Sequence, residues 1–233
     1  MNKFFSTVLI LFAATVGVNA QQQNNNLHQC LTDFYYERAI AANPEYKIEM
    51  DRMNEQIKAM ANAHFKTTGT VYIIPVVFHV FHQNGKENIS RDQILDQIRI
   101  LNEDFRKIAG TPGGSSTNPL AVDTEIEFRL ANIDPNGNCF DGINRVFDTN
   151  GLGNNADDQI KSLVSTLWRG GKYFNVYVVS NIKDTDNNPN TTILGYAQFP
   201  NAGSTITRGV VIRSDYIGTI GTSSKVKGGR VLI

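Results

Sequence analysis

The sequence predicts an α/β (α+β) fold: a twisted, mixed β-sheet with backing helices, preceded by a helical amino-terminal segment. Strand-like and helix-like periodicities alternate from Val71 onward, as a layered α/β domain requires. The first strand-like run, Val71 to Phe81, is apolar on both faces and so belongs inside a sheet covered on both sides. Before it, Thr32 to His64 carries helical spacing among charges and no alternation.

The elements follow in order. Residues 21–26, three glutamines and three asparagines, form a polar spacer with nothing to bury, and disorder is expected there. Tyr36, Ile40, Ile48, Met53, Ile57 and Met60 mark the apolar positions of two helices, with Pro44 between them because it can start the second and cannot continue the first. Thr67-Thr68-Gly69 marks a boundary. In the strand that follows, Pro75 removes one ladder donor, which predicts a bulge or an edge register.

Ser90-Arg91-Asp92-Gln93 reads as a capping box, and Ile94, Ile98, Leu101 and Phe105 then share one helical face. A breaker-rich loop runs from Gly110 to about Val122. Glu125 to Ile133 alternates as a strand, with Ile126, Phe128 and Leu130 on one side. A helix is predicted over Asp157 to Trp168, its two leading aspartates suiting the helix dipole and Ile160, Leu163, Val164 and Leu167 forming its stripe. Phe174 to Val179, Leu194 to Phe199 and Gly209 to Ile212 complete the strands.

Composition narrows the function classes. At 233 residues the chain holds one sizeable domain with a small appendage. A formal net charge of +0 gives no electrostatic case for nucleic acid or an anionic membrane. Residues 1–20 read as an export signal: Lys3 supplies the positive start, Phe4 to Val18 the apolar core, and Val18-Asn19-Ala20 the cleavage site. The core is shorter than the roughly 20 apolar residues of a spanning helix. A secreted product without membrane attachment after signal cleavage is therefore expected.

The chemistry-bearing residues do not assemble a catalytic constellation. His79 and His82 have the spacing H-x-x-H, but residues three apart in a strand point to opposite faces, so they read as structural histidines at a sheet end. Asp134 to Asp141 mimics the start of a calcium loop; Cys139 stands at the position of its glycine and Arg145 at that of its glutamate. Asp184 to Pro189 departs from the pattern in the same way, and both segments read as turns. There is no G-x-S-x-G elbow, Walker loop or dinucleotide fingerprint. Gly195-Tyr196-Ala197-Gln198-Phe199-Pro200 starts on glycine and ends on proline, which favours an edge strand, and an exposed edge pairs with extended peptides.

Five segments in succession carry a resemblance. They are Ile74 to Val80, Asn102 to Phe105, Asp123 to Phe128, Gly142 to Val146 and Gly195 to Pro200. In order and spacing they are similar to the pappalysin family of secreted zinc metalloendopeptidases, a branch of the metzincins. The resemblance covers roughly Cys30 to Arg230. It implies a propeptide over residues 21–68 and a metzincin-type catalytic domain from residue 69 to 233, represented by its upper subdomain. It further implies a zinc cofactor and extended peptide or protein substrates. In that family a Gly-Arg pair like Gly229-Arg230 precedes a helix carrying H-E-x-x-H-x-x-G-x-x-H, and this motif is not among the 233 residues. The resemblance therefore implies no catalytic residue up to Ile233 and places the zinc ligands and the glutamate base after it. An amino-terminal part of such an enzyme, without cleavage activity or tight zinc of its own, is expected.

By the same resemblance the edge strand forms the upper rim of a cleft and binds substrate antiparallel, which makes Gly195, Tyr196, Ala197 and Gln198 the candidate substrate-binding residues. Cys30 is the candidate for latency, since a cysteine in some family propeptides ligates the zinc. Leu31 stands where glycine is common in the family, and a disulfide with Cys139 or a free thiol are equal readings of Cys30. The alternative function is an exported, non-catalytic module that captures peptides with the 194–199 edge strand.

Overall fold

The computed structural model describes residues 27–30, 32–61, 69–115, 117, 121–154, 156, 159–165, 167–168, 171–183, 191–198 and 208–232. The export signal, the polar spacer, the Thr67-Thr68 boundary, Asp157, Asp158, the 184–189 turn, Phe199-Pro200 and Ile233 lie outside the described residues. Among the described residues seven strands form one sheet, ordered β1 (Leu27–Cys30), β6 (Thr191–Ala197), β7 (Val210–Arg213), β5 (Phe174–Val179), β2 (Tyr72–His82) and β3 (Ile126–Leu130), with β4 (Ile143–Phe147) pairing further along β2. All neighbours are parallel except β6 and β7. The expected mixed sheet with backing helices is the fold observed. Among the described residues no helix is long and apolar enough to cross a membrane.

β2 is central because its apolar residues feed two cores. Val76, Phe78 and Val80 meet Ile94, Ile98 and Leu101 of α3 (Arg91–Phe105) on one face. Val77 and Phe81 meet Ile160 and Val164 of α4 (Gln159–Ser165) and Trp168 on the other. Pro75 fits without a bulge. Even-numbered residues of β2 turn their backbone polar groups toward β3 and β4, as Tyr72 N to Glu125 O and Phe78 N to Gly142 O show. Pro75 therefore turns its nitrogen toward β5, whose pairing begins only at Val76. No ladder bond is lost, which is the edge register its position predicts.

Several expectations need correction. Ser90 caps α3 by accepting the Gln93 N–H, but Gln93 does not complete the box. Its side chain donates to the carbonyls of Ser214 and Ile217 and accepts the Thr222 N–H, because a buried amide gains more from three loop partners than from one cap. The helix over 157–168 is described only for Gln159–Ser165, and Leu163 and Leu167 are exposed. Both amino-terminal helices are present, α1 (Thr32–Ala42) and α2 (Pro44–Ala61), yet Ile48, Ile57 and Met60 face solvent. Tyr46 and Met50 form a small separate core there with Tyr36, Ile40 and Met53.

The short segments of the resemblance act as tertiary clamps. Asn102 exchanges two hydrogen bonds with the backbone of Phe128, at 2.7 and 2.9 Å, docking α3 on β3. Phe105 meets the Phe128 ring edge-on. Asp104 takes Arg230 in a forked pair at 2.9 and 3.0 Å. Gly229, at φ +74°, lies so close to Ile100 and Gly218 that an added Cβ would stand 2.6 Å from the Ile100 side chain. The carboxy-terminal segment is thereby seated on the face that α3 covers, with Val226, Val231 and Leu232 packed against its core.

Candidate functional site: the rim strand and the segment along it

β6 runs antiparallel to β7 and would be the last strand of the domain's own sheet. Its outer side is not open. β1 lies along it in parallel, Leu27 opposite Thr191, His28 opposite Thr192, Gln29 opposite Ile193 and Cys30 opposite Gly195. The exposed edge expected at 194–199 is thus corrected as far as Gly195: unpaired backbone groups on an edge find partners, and here the chain's own amino-terminal segment supplies them.

The register skips Leu194, so β6 carries an irregularity there. One consequence is that Ile193 and Tyr196 both face the α4 side while Leu194 faces α3. Gly195 is required at this point, since a Cβ would sit 2.8 Å from the Val211 carbonyl oxygen. Tyr196 is buried, its ring stacked on Tyr35 at 4.1 Å and 20°. The Lys161 ammonium, wholly buried on α4, lies 5.0 Å from the centroid of the same ring. Ala197 donates its N–H to Thr32 Oγ1 at 3.2 Å. Gln198 lines a cavity of about 280 Å³ with Tyr173, Asn175, Arg208 and Val210. Gln198 Oε1 and Arg208 Nε are buried there without a hydrogen-bond partner among the described residues. Thr32, Tyr35, Lys161 and Arg208 carry no local sequence signal that marks them for this site.

Cys30 closes β1 opposite Gly195, and its side chain lies outside the described residues. Cys139 is an exposed free thiol, so the disulfide reading of the pair does not hold. The Asp134 carboxylate bonds the side chain and N–H of Asn138 and the N–H of Asn136, which hold it below the usual carboxylate range and make the segment a turn.

His79 and His82 part as their spacing requires. His79 is not at a sheet end but in the middle of β2, fully buried. One ring nitrogen meets Asn175 Oδ1 and the other Asn144 Nδ2, each at 3.1 Å. Tyr177 stacks on it and Trp168 meets it edge-on. An Nε2–H donating to Asn175 and a bare Nδ1 accepting from Asn144 satisfy the neutral ring, and burial pushes the imidazole down to about 4. His82 accepts the Asn84 N–H and meets Phe147 edge-on. Among the described residues no group of His, Cys, Asp and Glu side chains is arranged to hold a metal ion. These donors do not fit a zinc site. The catalytic residues expected after Ile233 fall beyond the described segment, which reaches Leu232.

The sheet order, the antiparallel step from β7 to β6 and the helices α3 and α4 backing its two faces decide the architecture. The fold is a metzincin-like upper subdomain. The chain is similar to mature mirolysin of Tannerella forsythia in complex with a cleaved peptide, at 34% identity over 68% of this chain and 58% of that one, with a TM-score of 0.55. Mirolysin in complex with a compound matches at 32% identity over 70% and 60% of the two chains, TM-score 0.56. Promirolysin of Tannerella forsythia with a glutamate-to-alanine substitution matches at 29% identity over 84% and 62%, TM-score 0.58. The chain thus spans about three fifths of the length of these proteins. No protein-family model and no curated protein matches it.

Proposed function

We propose that the chain is the latency segment and upper catalytic subdomain of an exported zinc endopeptidase of the pappalysin type, with β6 as the rim that receives extended peptide. Residues 1–20 direct export, residues 21–68 are the propeptide, and residues from 69 onward belong to the catalytic domain. The observation that carries this is the direction of β1. It runs parallel to β6, whereas a substrate on a metzincin rim runs antiparallel. A strap laid in reverse occupies the outer side of β6 from Thr191 to Gly195 and presents its peptide bonds in the wrong sense for cleavage. The likeness to both promirolysin and a peptide-bound mirolysin supports the same assignment.

In this reading the residues named here bind and orient. The outer backbone groups of Thr191 to Ala197 hold a substrate main chain extended, Gly195 lets the strand turn its faces, and Gln198 with Arg208 borders a side-chain cavity. A zinc-activated water and a glutamate base supply hydrolysis in such enzymes, and the H-E-x-x-H that carries them is not among the residues up to Ile233. Cys30, at the end of the strap, would be the residue to offer a thiolate to such a metal and keep water from it.

Translating the nucleotides beyond the Ile233 codon in all three frames tests the assignment. A continuation reading H-E-x-x-H-x-x-G-x-x-H is the expected result; its absence in every frame favours an exported peptide-binding module built on the same rim. The chain by itself is expected to show neither stoichiometric zinc in equilibrium dialysis nor chelator-sensitive peptide cleavage, and finding both would overturn the proposal.

A further inference from the structure

We infer that Tyr35 is the positioning residue that holds β1 on the rim. This rests on the reading of β6 as a substrate rim and adds how its cover is kept in place. β1 is four residues long and, among the described residues, pairs with β6 alone. A strand that short, at the outside of a sheet, makes too few ladder bonds to remain there unaided.

The segment that follows supplies the hold. Thr32, the first residue of α1, takes the Ala197 N–H on its hydroxyl oxygen. One turn later Tyr35 lays its ring flat on Tyr196. Among the described residues of α1 and α2, Tyr35 alone enters the core beneath the sheet, beside Ile193, Tyr196 and Val211. Tyr46, Met50, Tyr36, Ile40 and Met53 form the helices' own satellite cluster, and Ile48, Ile57 and Met60 face solvent. Tyr196 is in turn fixed from the domain side by Lys161, whose helix neighbours Ile160 and Val164 are core residues. Among the described residues this ring is the part of the helical pair that enters the domain's core, beside the Thr32 hydroxyl bond, and it sits five positions after Cys30 in the chain.

This geometry makes docking of β1 an intramolecular event. With Tyr35 seated, the strand is presented to β6 at an effective concentration on the order of millimolar. Without the ring, the same strand competes for the rim with no such advantage, and an extended peptide of the opposite direction can displace it.

Residue-resolved hydrogen exchange on the full chain tests the inference through the Ala197 amide, whose acceptor belongs to the amino-terminal segment. In Tyr35→Ala this amide should exchange at least about tenfold faster, while the Val77 and Val178 amides of the central strands keep their rates. Tyr35→Phe, which retains the stacked ring, should restore protection. Where Tyr35→Ala also releases Val77 and Val178, Tyr35→Leu is read by the same criterion. Ala197 exchange within about twofold of the unaltered chain, in a variant whose core is protected, overturns the inference. An Ala197 amide unprotected in the unaltered chain instead sinks the strap, and with it the rim reading.

Discussion

Acidification should weaken this fold through His79. Its ring is enclosed by Asn144, Asn175, Trp168 and Tyr177, with no carboxylate among these partners to stabilise an imidazolium. Burial lowers the folded-state pKa from 6.5 to about 4, and the hydrogen bond to Asn175 opposes that shift only in part. The unfolded chain accepts a proton near 6.5 that the folded chain refuses. The histidine's contribution to stability is complete above pH 6.5, falls as the pH drops toward 4, and changes little below. Across that window the loss amounts to about 3 kcal/mol. Urea unfolding at pH 7 and pH 4, on the unaltered chain and on His79→Gln, isolates it, because carboxylate titration is common to both. The unaltered chain should lose about 3 kcal/mol more than the variant. Equal losses in the two proteins would refute the reasoning.

Two further outcomes follow from close contacts. Gly195→Ala forces a methyl against the Val211 carbonyl oxygen and should cost about 1–3 kcal/mol, seen as a lowered thermal midpoint; an unchanged midpoint contradicts the packing described. Gln93→Leu strands the Ser214 and Ile217 carbonyls and the Thr222 N–H, and should cost about 2–3 kcal/mol. Hydrogen exchange should then accelerate over residues 214–222 before it does in β2, and uniform acceleration argues against a local clamp.

Much of the fold was legible because it is local or strongly patterned. The two-faced apolar run of β2 and the one-faced stripe of α3 each state their environment directly, and Ile94, Ile98 and Leu101 are buried as their spacing requires. β4 escaped notice because it has no single apolar face: Ile143 goes to one core and Val146 packs on the other. The apolar positions of α2 misled, since helical spacing shows amphipathicity but not whether a partner covers it. Gln93 satisfied a local capping pattern while its side chain answered to a loop far along the chain. For the site, Gly195 to Gln198 were visible as a strand bounded by glycine and proline. The cover on them was not. Leu27 to Cys30 is too short for alternation to register, and its partner lies near Thr191, so nothing local announces the pairing.

A designed cross-link tests the reversed strap most directly. In a chain with Cys30→Ser and Cys139→Ser, His28→Cys and Thr192→Cys place thiols on residues that face each other in the β1–β6 register. Mild oxidation of the folded protein should close that disulfide, whereas pairing His28→Cys with Thr222→Cys should yield none. A folded chain in which the first pair stays reduced under the same oxidation would contradict the account.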